Sequence, residues 1–374
     1  VERIVVVGAG LAGVRAAETL RRRGFAGELT VIGDEPHRPY NRPPLSKEVL
    51  SGAQDPDSCL LPSDGIEATW LLGHAATGLD LDRRVVGIGD DEVRFDGLVI
   101  ASGCAARPWP GAEGIAGVYT LRGLDDVAAI RSALAGRPRT VIIGAGFIGC
   151  EVAASLASLG ADVTVVDQAS RPMVPLGPAL GARAEALHRR HGVGFRLDAG
   201  VASVDGGSVT LSTGEVLAAD LVLVAIGAVP NVGWLAGSGL KLAGGVECDR
   251  YCFAIGQENI VAAGDVASWQ AGRGLTRVEH WTNAAEMGIA AAVNLLAPPG
   301  ERVAYDPVPT MWSDQFGHRF QVAGHLADAE EFHTVVDEGD VLVLEGVAAG
   351  RLVCAAAING GSRIAKYRRK LMAR

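Results

Sequence analysis

Val141-Ile142-Ile143-Gly144-Ala145-Gly146-Phe147-Ile148-Gly149 is an apolar run that meets a Gly-x-Gly-x-x-Gly turn. Val5-Val6-Val7-Gly8-Ala9-Gly10-Leu11-Ala12-Gly13 repeats the pattern near the start of the chain. The spacing has a physical reason. The first glycine makes a turn that a side chain would block. The second lets backbone N–H groups approach a pyrophosphate. The third lets the following helix pack closely on the strand, so that its positive end faces the phosphates. One such motif is weak evidence, because a tight strand–helix turn can exist without a ligand. Two in one chain, each after an apolar strand and each opening a helix, indicate two bound dinucleotides and electrons passing from one to the other.

An acid should end the second strand of each unit, about 20 residues on, where it accepts hydrogen bonds from ribose hydroxyls. In the first unit, Glu28-Leu29-Thr30-Val31-Ile32-Gly33-Asp34-Glu35 supplies either Asp34 or Glu35. In the second, Asp162-Val163-Thr164-Val165-Val166-Asp167 supplies Asp167. A carboxylate there repels a 2′-phosphate, so Asp167 favours NADH over NADPH, and Arg171 acts in the opposite direction.

At 374 residues the chain is long enough for two or three domains, and 48% hydrophobic residues support sizeable cores. Its 50 glycines suit several strand–helix turns. A net charge of −9 argues against a nucleic-acid partner. The most apolar run, Val216 to Val229, is interrupted by Asp220 and is too short to span a membrane. The six cysteines, Cys59, Cys104, Cys150, Cys248, Cys252 and Cys354, form no CxxC motif. Cys248 and Cys252 lack a second pair, so no metal site is expected and the thiols are read as free. With no leader before the strand Ile4 to Val7, the expected location is cytoplasmic.

The chain reads as two duplicates of one architecture. The first ends in Leu98-Val99-Ile100-Ala101-Ser102-Gly103, the second in Leu221-Val222-Leu223-Val224-Ala225-Ile226-Gly227. The prolines of Arg107-Pro108-Trp109-Pro110-Gly111 mark a linker. A helix is expected over Asp125 to Leu134, another over Glu279 to Leu296. Runs such as Val341-Leu342-Val343-Leu344 point to a small antiparallel sheet with a terminal helix. The expected class is α/β: two Rossmann-like, glutathione-reductase-like domains and a small α+β C-terminal domain. Residues 1–109 and 231–300 would form a discontinuous first dinucleotide domain, 110–230 the second, and 301–374 the C-terminal domain.

Further stretches add a resemblance that covers essentially the whole chain. Pro39-Tyr40-Asn41-Arg42-Pro43-Pro44-Leu45-Ser46-Lys47, Ala263-Gly264-Asp265-Val266-Ala267, Arg277-Val278-Glu279-His280-Trp281-Thr282-Asn283-Ala284 and Trp312-Ser313-Asp314-Gln315 accompany the two fingerprints. Together they resemble the oxygenase-coupled, FAD-dependent NAD(P)H:ferredoxin reductases (the putidaredoxin, rubredoxin and dioxygenase reductase type). The stretches Asp249 to Asn259, Pro309 to Trp312 and the residues after Asp167 depart from the family's usual pattern.

The resemblance implies that FAD is held by Gly8, Ala9, Gly10, Leu11, Ala12, Gly13, Asp34, Arg42, Lys47, Ala76, Ala101, Ser102, Gly103, Gly264, Asp265, Trp281 and Trp312. Asp34 would hold the adenosine ribose and Asp265 the ribityl chain. The helix starting near Trp281 would point its N–H groups at the flavin's pyrimidine edge. NADH would be held by Gly144, Gly146, Phe147, Ile148, Gly149, Glu151, Asp167, Gly227 and Glu279. Lys47, Glu151 and Trp312 are the implied catalytic residues. Lys47 would stand near flavin N5 with Glu151 as its partner, and Trp312 would cover part of the ring system. A cation there suits the negative charge of reduced flavin.

The implied activity is ferredoxin–NAD(+) reduction. Electrons from NADH pass through FAD to an iron–sulfur ferredoxin serving a cytochrome P450 or a Rieske oxygenase. Two other readings stand beside it. A disulfide reductase or NADH oxidase needs a redox cysteine at the flavin; the region of Arg42 to Lys47 holds none, and Cys59 stands alone. A flavoprotein of the apoptosis-inducing-factor type would act by binding other proteins. An acidic ferredoxin needs a basic face, which Arg363, Lys366, Arg368, Arg369, Lys370 and Arg374 offer. A solvated terminal helix would show the same charges.

Overall fold

The computed structural model describes residues 1–112, 114–272 and 274–373. The chain divides into two compact units. The first comprises Val1–Asn41, Cys59–Ala105 and Val229–Pro309; the second comprises Arg42–Ser58, Ala106–Ala228 and Thr310–Arg374.

The first unit is built on a five-stranded parallel sheet in the order Ile260–Ala262, Gly97–Ile100, Arg3–Val7, Glu28–Gly33, Thr69–Leu72. Ile4, Val6, Leu98, Val99 and Val261 are buried, as strands covered on both faces require. The helix Leu11–Arg22 follows the first glycine turn. Trp281–Leu296 packs against it so closely that a Cβ on Gly288 would lie 2.4 Å from the carbonyl oxygen of Ala12. Helix formation begins at Trp281 rather than Glu279, because His280 is extended, with φ −119° and ψ 144°.

The second unit repeats the plan. Its parallel sheet runs Gly194–Arg196, Asp162–Val166, Arg139–Ile143, Leu221–Val224, Val118–Thr120. The first four positions match those of the first unit's sheet read from its other end. The fifth strand comes from before the fingerprint here and from far after it in the first unit. The expected helix near Asp125 spans Leu124–Ala133, and Phe147–Ser158 follows the second glycine turn.

The C-terminal residues form a five-stranded antiparallel sheet in the order Thr310–Gln315, His318–Gly324, Arg351–Ile358, Val341–Ala348, Glu331–Glu338, followed by the helix Arg363–Met372. The two compact units are drawn across the expected domains. Residues 310–374 share a unit with 106–228, and 42–58 join them. Burial explains the first of these groupings. Phe320, Val322, Leu342, Leu344 and Ile358 share one core with Cys150, Met173, Leu180 and Leu187. Val343, Ala355 and Ala357 face the other way and are covered by Ile364 and Tyr367 of the terminal helix. The middle of the sheet is therefore apolar on both faces, whereas the edge strand Glu331–Glu338 is exposed.

Candidate functional site

In the first unit the glycine turn shows which glycines serve the fold and which serve a ligand. Gly8 has φ +119°, and a Cβ there would lie 2.0 Å from the Ala101 carbonyl oxygen. A Cβ on Gly13 would lie 1.8 Å from the oxygen of Gly8. Both are walled in by backbone. Gly10 faces open space on its Cβ side and, as the N-cap, offers no side chain to the helix's first turn. A positive helix end whose cap carries no side chain fits a pyrophosphate. The second unit repeats this point for point. A Cβ on Gly144 would lie 2.3 Å from the Ala225 oxygen and one on Gly149 1.9 Å from the Gly144 oxygen, while Gly146 faces open space. Both turns fit a dinucleotide.

Asp34 and Glu35 differ in their surroundings. Glu35 accepts a hydrogen bond from the Tyr40 hydroxyl, whereas Asp34 is exposed at the strand end. Gly264, with φ +78°, would place a Cβ 2.9 Å from that of Ala12, bringing Asp265 close to the fingerprint helix. The Asp265 carboxylate accepts from the Cys104 thiol at 3.3 Å. Ser102 Oγ donates to the Asn231 carbonyl, and Asn231 Nδ2 donates back to the Ser102 carbonyl, both at 2.9 Å. The Trp281 indole donates to Asn41 Oδ1 at 2.9 Å. Gly103 has φ +68°, Ala101 is buried and Ala76 is half-buried. Glu279 belongs to this first unit and pairs with Arg277.

In the second unit, Asp167 is already engaged. Its carboxylate accepts the Ala145 N–H at 2.6 Å and the Ala169 N–H at 2.8 Å. It thus holds the glycine turn in shape, and its remaining lone pairs are what a ribose would meet. Arg171 lies along the helix Gly177–Arg190, where its Cδ would be 3.1 Å from a Cβ on Gly181. Gly227 has φ +98° and faces open space, Phe147 is half-buried and Ile148 is exposed.

Arg42 donates to the Arg122 carbonyl. Pro43–Ser46 forms a short 3-10 turn and Lys47 follows at its end. The Ser46 carbonyl is gripped by Ser155 Oγ at 2.7 Å. Lys47 Nζ then lies 2.7 Å from Glu151 Oε2, with side-chain exposures of 12% and 5%. The Ser46 hydroxyl donates to the same carboxylate oxygen, and Ser313 Oγ donates to Oε1 at 2.7 Å. A buried carboxylate so partnered is tolerated where an unpaired one would not be. Trp312 is half-buried on the opposite face of its strand from Ser313.

Sequence reasoning gave no site role to Asn41, Cys104, Asn231, Ser46, Ser313, Gln315 or His188. The WSDQ stretch carried Ser313 and Gln315, and strand alternation was the one signal that would have put both on one face.

His188 is fully buried, and burial pushes it down to about 4. Between its unfolded value, about 6.5, and 4, only the unfolded chain takes up the proton. Stability fully present above pH 6.5 is therefore expected to fall by about 3 kcal/mol by pH 4. Asp96, held by Arg3 at about 2, loses its contribution only at lower pH. Urea unfolding of His188→Gln across that range should show a flatter profile than the wild type.

All six cysteines are free and buried. Among the described residues, no helix is long and apolar enough to cross a membrane, and no group of three or more His, Cys, Asp or Glu residues is placed to hold a metal ion.

Residues 2–288 match the model of the pyridine nucleotide-disulphide oxidoreductases, and 310–374 that of the reductase C-terminal domain. The chain is 38% identical over 354 residues to rhodocoxin reductase of Rhodococcus erythropolis, covering 90% of this chain and 82% of the relative. It is 36% identical over 379 residues to the ferredoxin–NAD(+) reductase component of the p-cumate 2,3-dioxygenase system of Pseudomonas putida, covering 99% and 93%. Among solved structures, the covalent putidaredoxin reductase–putidaredoxin complex aligns with a TM-score of 0.94 at 28% identity, covering 100% of this chain and 93% of that one. Fdr9 aligns at 0.90 and 38%, covering 100% and 95%. With two dinucleotide turns, a buried Lys47–Glu151 pair and these relatives, the chain belongs to the pyridine nucleotide-disulphide oxidoreductase family and ends in a reductase C-terminal domain.

Proposed function

We propose that this protein is the NADH-dependent reductase of an oxygenase system, passing electrons to an iron–sulfur ferredoxin that serves a cytochrome P450 or a Rieske oxygenase. The chain is an FAD-dependent ferredoxin–NAD(+) reductase, and its p-cumate relative is named as a ferredoxin–NAD(+) reductase component. The observation that carries the reading is Lys47, held by the buried Glu151 of the helix that the second fingerprint opens. Bound FAD would supply the chemistry that joins a two-electron hydride donor, NADH, to a one-electron acceptor, the ferredoxin.

The residues here bind and orient. Gly8 to Gly13 with Asp34 take the adenosine and pyrophosphate part of FAD. Asp265 takes the ribityl chain, and the first turn of the Trp281 helix faces the pyrimidine edge. Lys47 supplies positive charge where reduced flavin is negative, and Glu151 holds that ammonium in place. Gly144 to Gly149, Asp167 and Gly227 hold NADH, with Glu279 assisting. Trp312 covers part of the flavin. The disulfide-reductase reading lacks its paired sulfurs, since every cysteine is a free, buried thiol. Six free thiols also suit a reducing, cytoplasmic location.

The ferredoxin face is placed on the helix Arg363–Met372. It buries Ile364 and Tyr367 and turns Arg363, Lys366, Arg369 and Lys370 to solvent, with Arg368 half-buried; Arg374 lies outside the described residues. Anaerobic NADH titration followed by turnover with a panel of ferredoxins tests the whole reading. Charge reversal at Arg368, Arg369 and Lys370 is expected to raise the ferredoxin KM about tenfold and leave ferricyanide reduction unchanged. An unaltered ferredoxin KM removes the helix from the docking face. Slow reduction of every ferredoxin, with a long-lived NADH complex, would favour the protein-binding reading.

A further inference from the structure

Glu151 stands at the end of a buried polar row that the reading above does not use. Ser313 Oγ donates to Glu151 Oε1 at 2.7 Å. Gln315 Nε2 donates to Ser313 Oγ at 3.0 Å and lies 3.1 Å from Met173 Sδ. Gln315 Oε1 accepts from His188 Nε2 at 2.9 Å. Ser313, Gln315 and His188 are all at most 1% exposed. His188 makes T-shaped contacts with Phe316 and Phe195, the ring centroids 5.1 and 5.9 Å apart.

The direction of every bond in the row follows from its ends. A carboxylate only accepts, so Ser313 spends its single proton on Glu151 and must itself accept. That places the NH2 group of Gln315 toward Ser313 and Met173 and its oxygen toward His188. His188 must then donate through Nε2, and its Nδ1 has no partner. Burial keeps the ring neutral, which leaves one N–H to give. A flipped Gln315 amide, or His188 in its Nδ1–H tautomer, would let the Ser313 hydroxyl turn away from Glu151. Bonds aligned in one direction also polarise one another.

We propose that Ser313, Gln315 and His188 are positioning residues for hydride transfer: through the Ser313 hydroxyl they hold the Glu151 carboxylate turned toward Lys47, and so fix where the Lys47 ammonium stands. The inference rests on the reading that the Lys47–Glu151 pair serves the reduction of FAD.

Ser313→Ala, Ser313→Thr and Gln315→Met, made in the holoenzyme, test it. Three quantities are read: the single-turnover rate of flavin reduction by NADH, the flavin midpoint potential, and the rate at which an amine-reactive acylating reagent labels Lys47 in the oxidised holoenzyme without NADH. Ser313→Ala is expected to slow reduction about tenfold with little change in NADH Kd, the loss of one hydrogen bond to a charged group. It should also shift the potential and speed Lys47 labelling. Ser313→Thr keeps the hydroxyl and should restore all three. Gln315→Met keeps Ser313 but frees its hydroxyl, and should fall between. In a Lys47→Met background, Ser313→Ala should slow reduction no further.

Wild-type potential and labelling in Ser313→Ala, with reduction still slowed by Lys47→Met and by Glu151→Gln, would overturn the positioning role alone. Failure of Ser313→Thr to restore the potential would do the same. Wild-type reduction in both Lys47→Met and Glu151→Gln would instead overturn the role of the pair. If Ser313→Ala does not fold, Gln315→Met and Ser313→Thr carry the same comparison.

Discussion

Lys47→Met is expected to slow reduction of bound FAD by NADH about a hundredfold, the usual scale for losing one preorganised electrostatic group. It is also expected to lower stability by about 3 kcal/mol, because it leaves a buried carboxylate without its cation. Lys47 Nζ and Glu151 Oε2 are 2.7 Å apart with little solvent on either. Two hydroxyls remain on Glu151 after the exchange, from Ser46 and Ser313, and neither carries charge. The double variant Lys47→Met/Glu151→Gln separates the two effects. Removing both charges should recover most of the stability, since a neutral amide no longer needs a counter-ion. It should not recover the rate. Stopped-flow reduction and urea unfolding on the three proteins measure both. Stability lost at an unchanged reduction rate would make the pair structural and refute its flavin role.

Gly149→Ala is expected to weaken NADH binding about a hundredfold while FAD content stays at the wild-type level. The added methyl would lie 1.9 Å from the carbonyl oxygen of Gly144 and 3.1 Å from its carbon. Both are backbone, in a turn that Asp167 ties through the Ala145 N–H. The helix Phe147–Ser158 must therefore lift from the strand, at about 1–3 kcal/mol for such overpacking. Its first-turn N–H groups would move off the pyrophosphate. Gly146→Ala is the contrasting variant. Its methyl would meet nothing in the protein, so the melting temperature should hold while NADH binding falls. NADH titration and thermal melting of the pair distinguish a glycine needed for packing from one needed for ligand approach. Equal melting temperatures and equal NADH affinities would show that the turn does not hold the nucleotide.

Much of this was legible in short stretches of sequence. Each glycine turn, with the strand before it and the helix after it, lies within twenty residues, 3–22 and 139–158, and the turn's contacts are among near neighbours. A Gly13 Cβ collides with Gly8, and a Gly149 Cβ with Gly144, five residues away in both cases. Local spacing therefore encodes the geometry directly. The apolar strand endings at Ile100 and Val224 were readable for the same reason, since a strand buried on both faces is continuously apolar. The terminal helix, too, announced itself by its charges.

Other features needed the folded chain. Asp34 and Glu35 are adjacent and chemically alike in sequence; in the fold Glu35 accepts from the Tyr40 hydroxyl and Asp34 is exposed. The packing of the C-terminal strands was not readable, because nothing in their pattern says that Leu342 and Leu344 share a core with Leu180 and Leu187. Sequence order alone made Lys47, Glu151 and Trp312 members of a resemblance. Folding placed Ser46 and Ser313 on Glu151 and ran the row back to His188, across separations of 105, 162 and 127 residues. Turn geometry is a property of neighbouring backbone atoms and survives in the order of residues. The partners of a buried charge are chosen by desolvation among whatever side chains the fold brings near, and that choice exists only once the strand Thr310–Gln315 and the helices Phe147–Ser158 and Gly177–Arg190 are packed together.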